Sequence, residues 1–141
     1  MNNKLVRYMA PLCLLLAGGV YTAETAQAAE TDTSVYELRT YTTNEGMLPA
    51  LHARFRDHTM RIFEKHGMRN IGYWTPNDKP NTLIYIIAHE SRAAADASWQ
   101  AFGADPEWHK VAADSRKNGP ILIRGGVQRQ FLTATEYSPS Q

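Results

Sequence analysis

Glu37 and Arg39 are the residues whose types and spacing point most directly to chemistry. They lie in the segment Val35 to Thr42, which is rich in β-branched and aromatic residues and therefore predicts a strand. Alternate residues of a strand point to the same face, so the two side chains are neighbours. A buried charge is costly unless it is paired. Two interpretations follow: a structural ion pair, or a site at which Arg39 binds the carboxylate or phosphate of a small ligand.

The histidines do not have the spacing of a metal site. His52 and His58 are six residues apart on a predicted helix, so they project in different directions. The sequence contains neither a His-x-x-x-His nor a Glu-x-x-His pair, which are the usual ligand spacings on helices. We therefore predict no metal and no cofactor. Both histidines are interpreted as boundary residues of an apolar helix face, and His58 is kept among the candidate ligand-binding residues.

Aromatic side chains supply the rest of a candidate ligand site. Most of them are expected to pack in the core, but Tyr and Trp keep a polar tip that suits the wall of a partly wet pocket. We expect Trp99 and Trp108 to line a cleft between the sheet and the helices, opposite Tyr41 or Tyr73. The predicted ligand-binding residues are Arg39, Tyr41, His58, Tyr73, Trp99 and Trp108. The sequence adds no glycine-rich phosphate loop and no local Ser-His-Asp signature.

Periodicity and turn residues indicate the elements that position these side chains. In the first helix, Leu51, Phe55 and Ile62 recur on one side at helical spacing, and Arg54 falls on the opposite, polar side. The predicted strands are 35–42, 69–75, 82–89 and 127–135, the last preceded by a short apolar segment (121–123) and a Gly125-Gly126 turn. The predicted helices are 48–66, 91–103 and a third that opens with the N-cap and first-turn signal Asp105-Pro106-Glu107.

The order of these elements is β-α-β-β-α-β, with the second helical region in two pieces. It predicts an α+β domain of ferredoxin-like type, whose antiparallel sheet has the strand order 4-1-3-2. The third strand is apolar from Leu83 to Ala88 without alternation, which fits a central place. Because helices cover only one face of such a sheet, we expect a second copy of the chain to cover the other face and form a homodimer.

Several motifs, kept in order across residues 35–116, resemble those of the NIPSNAP family. They are Tyr36-Glu37-Leu38-Arg39-Thr40-Tyr41, Gly46, Gly72-Tyr73-Trp74, Asn81 followed by Leu83-Ile84-Tyr85-Ile86, Trp99-x-x-Phe102 and Asp105-Pro106-Glu107-Trp108. The resemblance implies a ferredoxin-like fold and a dimeric α/β barrel, and it implies no particular reaction or cofactor. The better-known relatives are intracellular or mitochondrial, so their trafficking roles are not carried over to a chain with an export signal.

Residues 1–28 have the pattern of a removable secretory signal peptide. Lys4 and Arg7 precede an apolar run from Tyr8 to Val20, and Ala26-Gln27-Ala28 is a small-x-small cleavage pattern. The run is shorter than the ~20 residues that a membrane-spanning helix needs. Cleavage would remove the only cysteine of the chain. We therefore expect an exported bacterial protein of the periplasm or the extracellular medium.

The chain after cleavage is expected to be one domain (35–137) between a flexible lead-in (29–34) and a polar tail (138–141). Cleavage takes away Lys4, Arg7 and Glu24, so the formal net charge falls from +1 to zero. The remaining basic residues are scattered and form no stripe, which argues against a nucleic-acid partner. Nothing after residue 28 is long and apolar enough to span a membrane.

Three functions fit these observations. The first is a homodimeric module that binds a small apolar or acidic molecule in a cleft between sheet and helices. The second is a cofactor-independent oxygenase or isomerase, by analogy with other dimeric α/β barrels. The third is a structural or interaction role through the dimer. A histidine or carboxylate with a shifted pKa facing the cleft would favour an enzyme, an apolar cleft with Arg39 alone would favour binding, and a filled cleft would favour the third.

Overall fold

The predicted order of elements is found in the computed structural model, which describes residues 34–139. The predicted signal peptide, 1–28, lies outside these residues. The strands are β1 (Val35–Thr43), β2 (Arg69–Trp74), β3 (Thr82–His89) and β4 (Leu122–Thr133). The helices are α1 (Leu48–Arg54), a π-helical turn (Phe55–Thr59), α2 (Met60–Lys65), α3 (Arg92–Ala104) and α4 (Pro106–Asp114). None of these helices is long and apolar enough to cross a membrane.

The four strands form one antiparallel sheet in the order β2-β3-β1-β4. Counted from the other edge, this is the predicted order 4-1-3-2, and the ferredoxin-like α+β fold is confirmed. β1 and β3 are the central strands, and Arg39 lies directly opposite Tyr85. Every second residue of β3 from Leu83 to His89 is buried against the helices. The candidate residues of β1 therefore lie in the layer between the sheet and the helices.

β4 begins earlier than the sequence predicted. The segment 121–123 and the two glycines after it were expected to precede the strand, but Leu122 already pairs with Thr43. The register between β4 and β1 shifts just beyond Tyr41, and Gly125 has a φ of +72°. A bulge of this kind absorbs extra residues within one strand, and it favours glycine at the positive φ. Two adjacent glycines indicate a turn by their type alone, so the longer strand was missed.

The burial of Arg54 corrects the predicted helix face. The residue was placed on the polar side, yet it is only 8% exposed. The π-helical turn begins at the next residue, and Thr59 Oγ1 donates a hydrogen bond to the carbonyl oxygen of Arg54 at 3.1 Å. Arg54 is the last residue of α1 and lies three residues after the fully buried Leu51, and positions three apart are neighbours on a helix surface. Arg54 is therefore at the edge of the buried face, and its side chain reaches the interior.

Asp105 ties the start of α4 to the end of α2. Its Oδ1 accepts a hydrogen bond from the backbone N–H of Glu107 at 2.8 Å, which confirms the predicted N-cap. Its Oδ2 accepts one from Lys65 Nζ at 2.8 Å and lies 2.7 Å from His66 Nε2. The hydrogen bond from Lys65, followed by the contact with His66, holds the pKa of Asp105 well below its usual range. One side chain thus caps a helix and joins two elements.

Replacing Asp105 with alanine is expected to lower the midpoint of thermal unfolding by about 5 °C or more, because the cap and the Lys65 contact disappear together. Asp105→Asn keeps a capping oxygen but loses the charge, so it should fall between the wild type and the alanine variant. Thermal unfolding followed by circular dichroism measures both changes. Equal midpoints for the wild type and Asp105→Ala would contradict this role.

Candidate functional site

A buried carboxylate, Glu37, lies at the centre of the contacts between β1, β3 and α3. Its side chain is 0% exposed. Oε1 accepts a hydrogen bond from Arg39 Nη1 at 2.6 Å, and Oε2 accepts one from Trp99 Nε1 at 2.6 Å. His89 Nε2 lies 3.0 Å from Oε2, and it must carry the proton in this contact because a carboxylate only accepts. The predicted ion pair of Glu37 and Arg39 is therefore confirmed.

Both members of the pair are held in their charged forms. Burial opposes the ionisation of Glu37, but hydrogen bonds from His89 and Trp99 and the charge of Arg39 outweigh it and lower the pKa from 4.5 to about 2. Burial also lowers the pKa of Arg39, yet Tyr41, Tyr85 and Glu37 together raise it by more. A carboxylate with a pKa this low accepts protons poorly near neutral pH. Glu37 is thus a structural anion and is not suited to act as a general base.

Arg39 is also held by aromatic rings. The central guanidinium carbon lies 4.2 Å from the ring centroid of Trp99 and 5.5 Å from that of Tyr41, which are cation–π distances. Its Nη2 donates a hydrogen bond to the Tyr41 hydroxyl at 3.3 Å. With Glu37 as its counterion and 8% of its surface exposed, Arg39 has the contacts of a structural residue. Of the two interpretations drawn from the sequence, the geometry favours the ion pair.

Aromatic side chains surround this pair and bring together three of the other predicted site residues. Tyr41 meets Tyr85 edge to face at 5.3 Å between ring centroids, and Tyr73 stacks on Tyr85 at the same distance. Trp99 packs on Phe102 at 5.6 Å. Tyr41, Tyr73 and Trp99 therefore belong to one aromatic layer under the sheet. Burial is the main cause that raises the pKa of Tyr73 and of Tyr85, so both hydroxyls remain protonated.

Tyr73 also lines a cavity of about 270 Å³ beside the edge strand β2. Its hydroxyl donates a hydrogen bond to Asn70 Oδ1. The exposed ring of Trp74 forms part of the wall of this cavity. The other lining residues are His52, Phe55, Arg56, Met60, Thr75 and Leu83. The cavity opens at one end of the aromatic layer.

The remaining two predicted residues, His58 and Trp108, lie near Arg54 instead. His58 lines a cavity of about 370 Å³ between α1 and α4, together with Arg54 and Ser115. The guanidinium carbon of Arg54 is 5.4 Å from the ring centroid of Trp108, which packs on Phe102 at 4.5 Å. The predicted set is thus divided: Arg39, Tyr41, Tyr73 and Trp99 lie under the sheet, whereas His58 lines the cavity between α1 and α4 and Trp108 contacts Arg54.

Sequence reasoning missed three buried polar residues of this layer: His89, Tyr85 and Arg54. The continuous apolar run of β3 contains no alternation that would show which face Tyr85 and His89 share. Buried atoms without a hydrogen-bond partner among residues 34–139 are the Tyr85 hydroxyl, His89 Nδ1, Arg39 Nε and Arg54 Nε. Such atoms are uncommon in folded proteins. In the same part of the chain, no group of three or more His, Cys, Asp or Glu residues is placed to hold a metal ion.

Solved structures with the same architecture come from several bacteria. An uncharacterised NIPSNAP-like domain protein from Burkholderia xenovorans is 21% identical to this chain, with a TM-score of 0.67 over 77% of this chain and 91% of that one. A NIPSNAP family protein of unknown function from Agrobacterium tumefaciens is 22% identical, with a TM-score of 0.66 over 77% and 95% of the two chains. At these identities the likeness establishes the fold.

A third similar structure is an enzyme. SnoaB, a cofactor-independent oxygenase from Streptomyces nogalater, is 18% identical, with a TM-score of 0.54 over 77% of this chain and 99% of that one. No curated protein sequence matches this chain. The family model described as NIPSNAP, by contrast, matches residues 36–139, which include both members of the buried ion pair, Glu37 and Arg39. The chain therefore belongs to the NIPSNAP family.

Proposed function

We propose that this NIPSNAP domain is an exported homodimer that binds a small molecule between its sheet and its helices. The observation that carries the proposal is a pair of buried donors near Tyr41 that lack partners in the described part of the chain: Arg39 Nε and Arg54 Nε. Arg39 contacts Tyr41, and Arg54 interacts with it electrostatically. Buried donors normally have acceptors, and a ligand can supply them.

The size of the flanking cavities supports a small ligand. The cavity beside Tyr73 has a volume of about 270 Å³ and that beside Arg54 about 370 Å³. These values lie near the lower end of the range for small-molecule sites, about 300–1,000 Å³. Aromatic rings wall the layer between them, as is usual where a ligand has an apolar body.

The free face of the sheet supports the dimer. Tyr36, Leu38 and Ile86 lie on the face opposite the helices and are half-buried, and Leu132 is 39% exposed. A cavity of about 290 Å³ opens on this face. An apolar sheet face of this kind is typical of an interface. Packing of a second sheet against it would bury a standard interface of ~1,600 Å² in total.

A cofactor-independent oxygenase is the second candidate, favoured by the shared fold of SnoaB. A proton-transfer group with a shifted pKa facing the cleft would favour such an enzyme. Glu37 is unsuited to this role because its pKa is lowered to about 2 and both its oxygens already accept hydrogen bonds. Binding without turnover is therefore the better-supported function. Oxygen consumption by the protein in the presence of its own co-purified ligand would reverse this order.

Native mass spectrometry of the protein from the envelope fraction of its host tests the proposal in one measurement. We expect a chain that begins near Ala29, because the small-x-small pattern ends at Ala28. We expect two copies per particle, because the apolar sheet face needs a cover. We also expect a small additional mass from a bound ligand, and this mass should be lost when the protein is denatured.

Each part of the proposal has its own contrary result. A cytoplasmic chain that retains Met1 would contradict export. A monomer at micromolar concentration would contradict the homodimer. Particles without additional mass, whose thermal stability does not change with any extract of the host, would contradict ligand binding.

A further inference from the structure

We infer that Arg54 is the anion-binding residue of the domain, and that the cavity between α1 and α4 accepts a small organic carboxylate. The inference rests on the proposed ligand-binding function, because it names the ligand class and the residue that recognises it. The sequence had pointed to Arg39 for this role. The contacts of the two arginines separate them.

Among the residues that the structure describes, Arg54 is a buried cation without a counterion. The only hydrogen bond of its side chain within residues 34–139 runs from Nη1 to Ser115 Oγ at 3.4 Å, and its buried Nε has no partner. Arg39, equally buried, has Glu37 at 2.6 Å. Burial is accordingly the main cause that lowers the pKa of Arg54, and the nearby charge of Arg116 adds to it. An anion bound at the guanidinium would compensate the cost of burying this charge.

The acidic residues at the cavity already have partners of their own. Asp57 accepts a hydrogen bond from Arg56 at 3.0 Å. Asp114 pairs with Lys110 at 2.6 Å and with Lys117 at 2.8 Å. Neither carboxylate therefore neutralises Arg54. Lys110 also lines the cavity but is paired with Asp114, so the described lining offers one unpaired positive charge, that of Arg54, which matches a singly charged carboxylate better than a dianionic phosphate ester.

The other residues that line the cavity suit a ligand with a short apolar part and polar groups near its charged end. Ala50, Ala53 and Val111 provide apolar surface. The side chains of His58 and Asn118 also line the cavity, and neither has a hydrogen-bond partner among the residues that the structure describes. A planar guanidinium binds a carboxylate through two parallel N–H···O bonds, which gives the site its preference for that group. A cavity of about 370 Å³ suits a short aliphatic chain or a single aromatic ring.

Benzoate and benzamide are matched probes for this site, because they share a shape and differ in charge. Isothermal titration calorimetry of the purified protein should show that benzoate binds about tenfold more tightly, or better, than benzamide, since a hydrogen bond to a charged group is stronger than one to a neutral group. Phenyl phosphate, a dianion near neutral pH, should bind more weakly than benzoate. Equal affinity for benzoate and benzamide would overturn the inference.

Variants of Arg54 test whether this residue is the one that binds the carboxylate. Arg54→Gln should reduce benzoate affinity about tenfold or more, and Arg54→Lys should recover part of it by restoring the charge without the planar fork. Arg61→Gln is the matched control, since Arg61 is exposed on α2, is paired with Glu107 and lines neither of the two cavities. It should change benzoate affinity by less than about twofold. Unchanged benzoate binding in Arg54→Gln would assign the anion to another residue and overturn the inference.

Thermal unfolding without ligand distinguishes a binding role from a structural one. Arg54→Gln removes an unpaired buried charge, so its midpoint should equal or exceed that of the wild type. A large fall of the midpoint in both Arg54→Gln and Arg54→Lys would show that Arg54 stabilises the fold, and it would overturn the inference. Failure of Arg54→Gln to fold, together with a low midpoint of Arg54→Lys, would have the same meaning. If native mass spectrometry still finds a ligand while benzoate binding is independent of Arg54, the proposed function stands and only this inference fails.

Discussion

Replacement of Arg39 by alanine is expected to lower the free energy of unfolding by about 3–5 kcal/mol, the usual cost of leaving one member of a buried ion pair alone. Glu37, which is fully buried, would keep its contacts with His89 and Trp99 but lose its counterion. The cation–π contact of Arg39 with Trp99 would be lost as well. Urea unfolding of the purified variant measures the change.

Two further variants complete this test. Combining Arg39→Met with Glu37→Gln removes both charges and keeps an oxygen that accepts from Trp99, so much of the stability should return. Arg129 lies opposite Arg39 on β4 and is exposed, so Arg129→Ala should stay within about 0.5 kcal/mol of the wild type. A loss below about 1 kcal/mol in Arg39→Ala would contradict the structural pair and return Arg39 to the ligand site.

Acid is expected to remove about 3 kcal/mol of stability through Glu37 alone. The pKa of Glu37 is about 2 in the folded protein and 4.5 when unperturbed, and each unit corresponds to about 1.4 kcal/mol. The folded pKa is the lower one, so the unfolded chain takes up the proton more readily. The contribution of Glu37 is therefore complete above pH 4.5 and disappears as the pH falls toward 2.

Comparison with Glu37→Gln isolates this effect, because glutamine does not titrate. The stability difference between the wild type and the variant, measured by urea unfolding from pH 7 down to pH 3, should shrink as the pH falls. Asp114, whose pKa is lowered to about 2 mainly by hydrogen bonds from Lys110 and Lys117, is present in both proteins, so its contribution cancels. A difference that is constant with pH would show that Glu37 is not held in its charged form.

The sequence predicted best those features that depend on neighbouring residues. Alternation in β1 placed Glu37 and Arg39 on one face, and the capping signal at Asp105 predicted the start of α4. Both features depend on contacts between residues two or three positions apart, and the types of those residues are enough to predict such contacts. The strand order could also be predicted from the sequence, because β3 is apolar on both faces and was therefore expected to be central.

The candidate site was predicted only in part, because its completion depends on contacts between distant segments. His89 meets Glu37 across 52 residues of sequence, and Arg54 meets Ser115 across 61. No local pattern marks such pairs. For the same reason His58 could be recognised as a boundary residue of its helix, while its position in the cavity of Arg54 could not.

The π-helical turn has a consequence for the evolution of this helix. Such a turn is what a one-residue insertion leaves in a regular α-helix, and it recurs at functional sites. The insertion leaves Leu51 before it and Ile62 after it fully buried, so the core tolerates the extra residue. What the turn changes is the direction of the residues that follow it relative to those that precede it. A related chain that lacks the turn should therefore be one residue shorter in this segment, and an alignment that closes the gap would hide the difference.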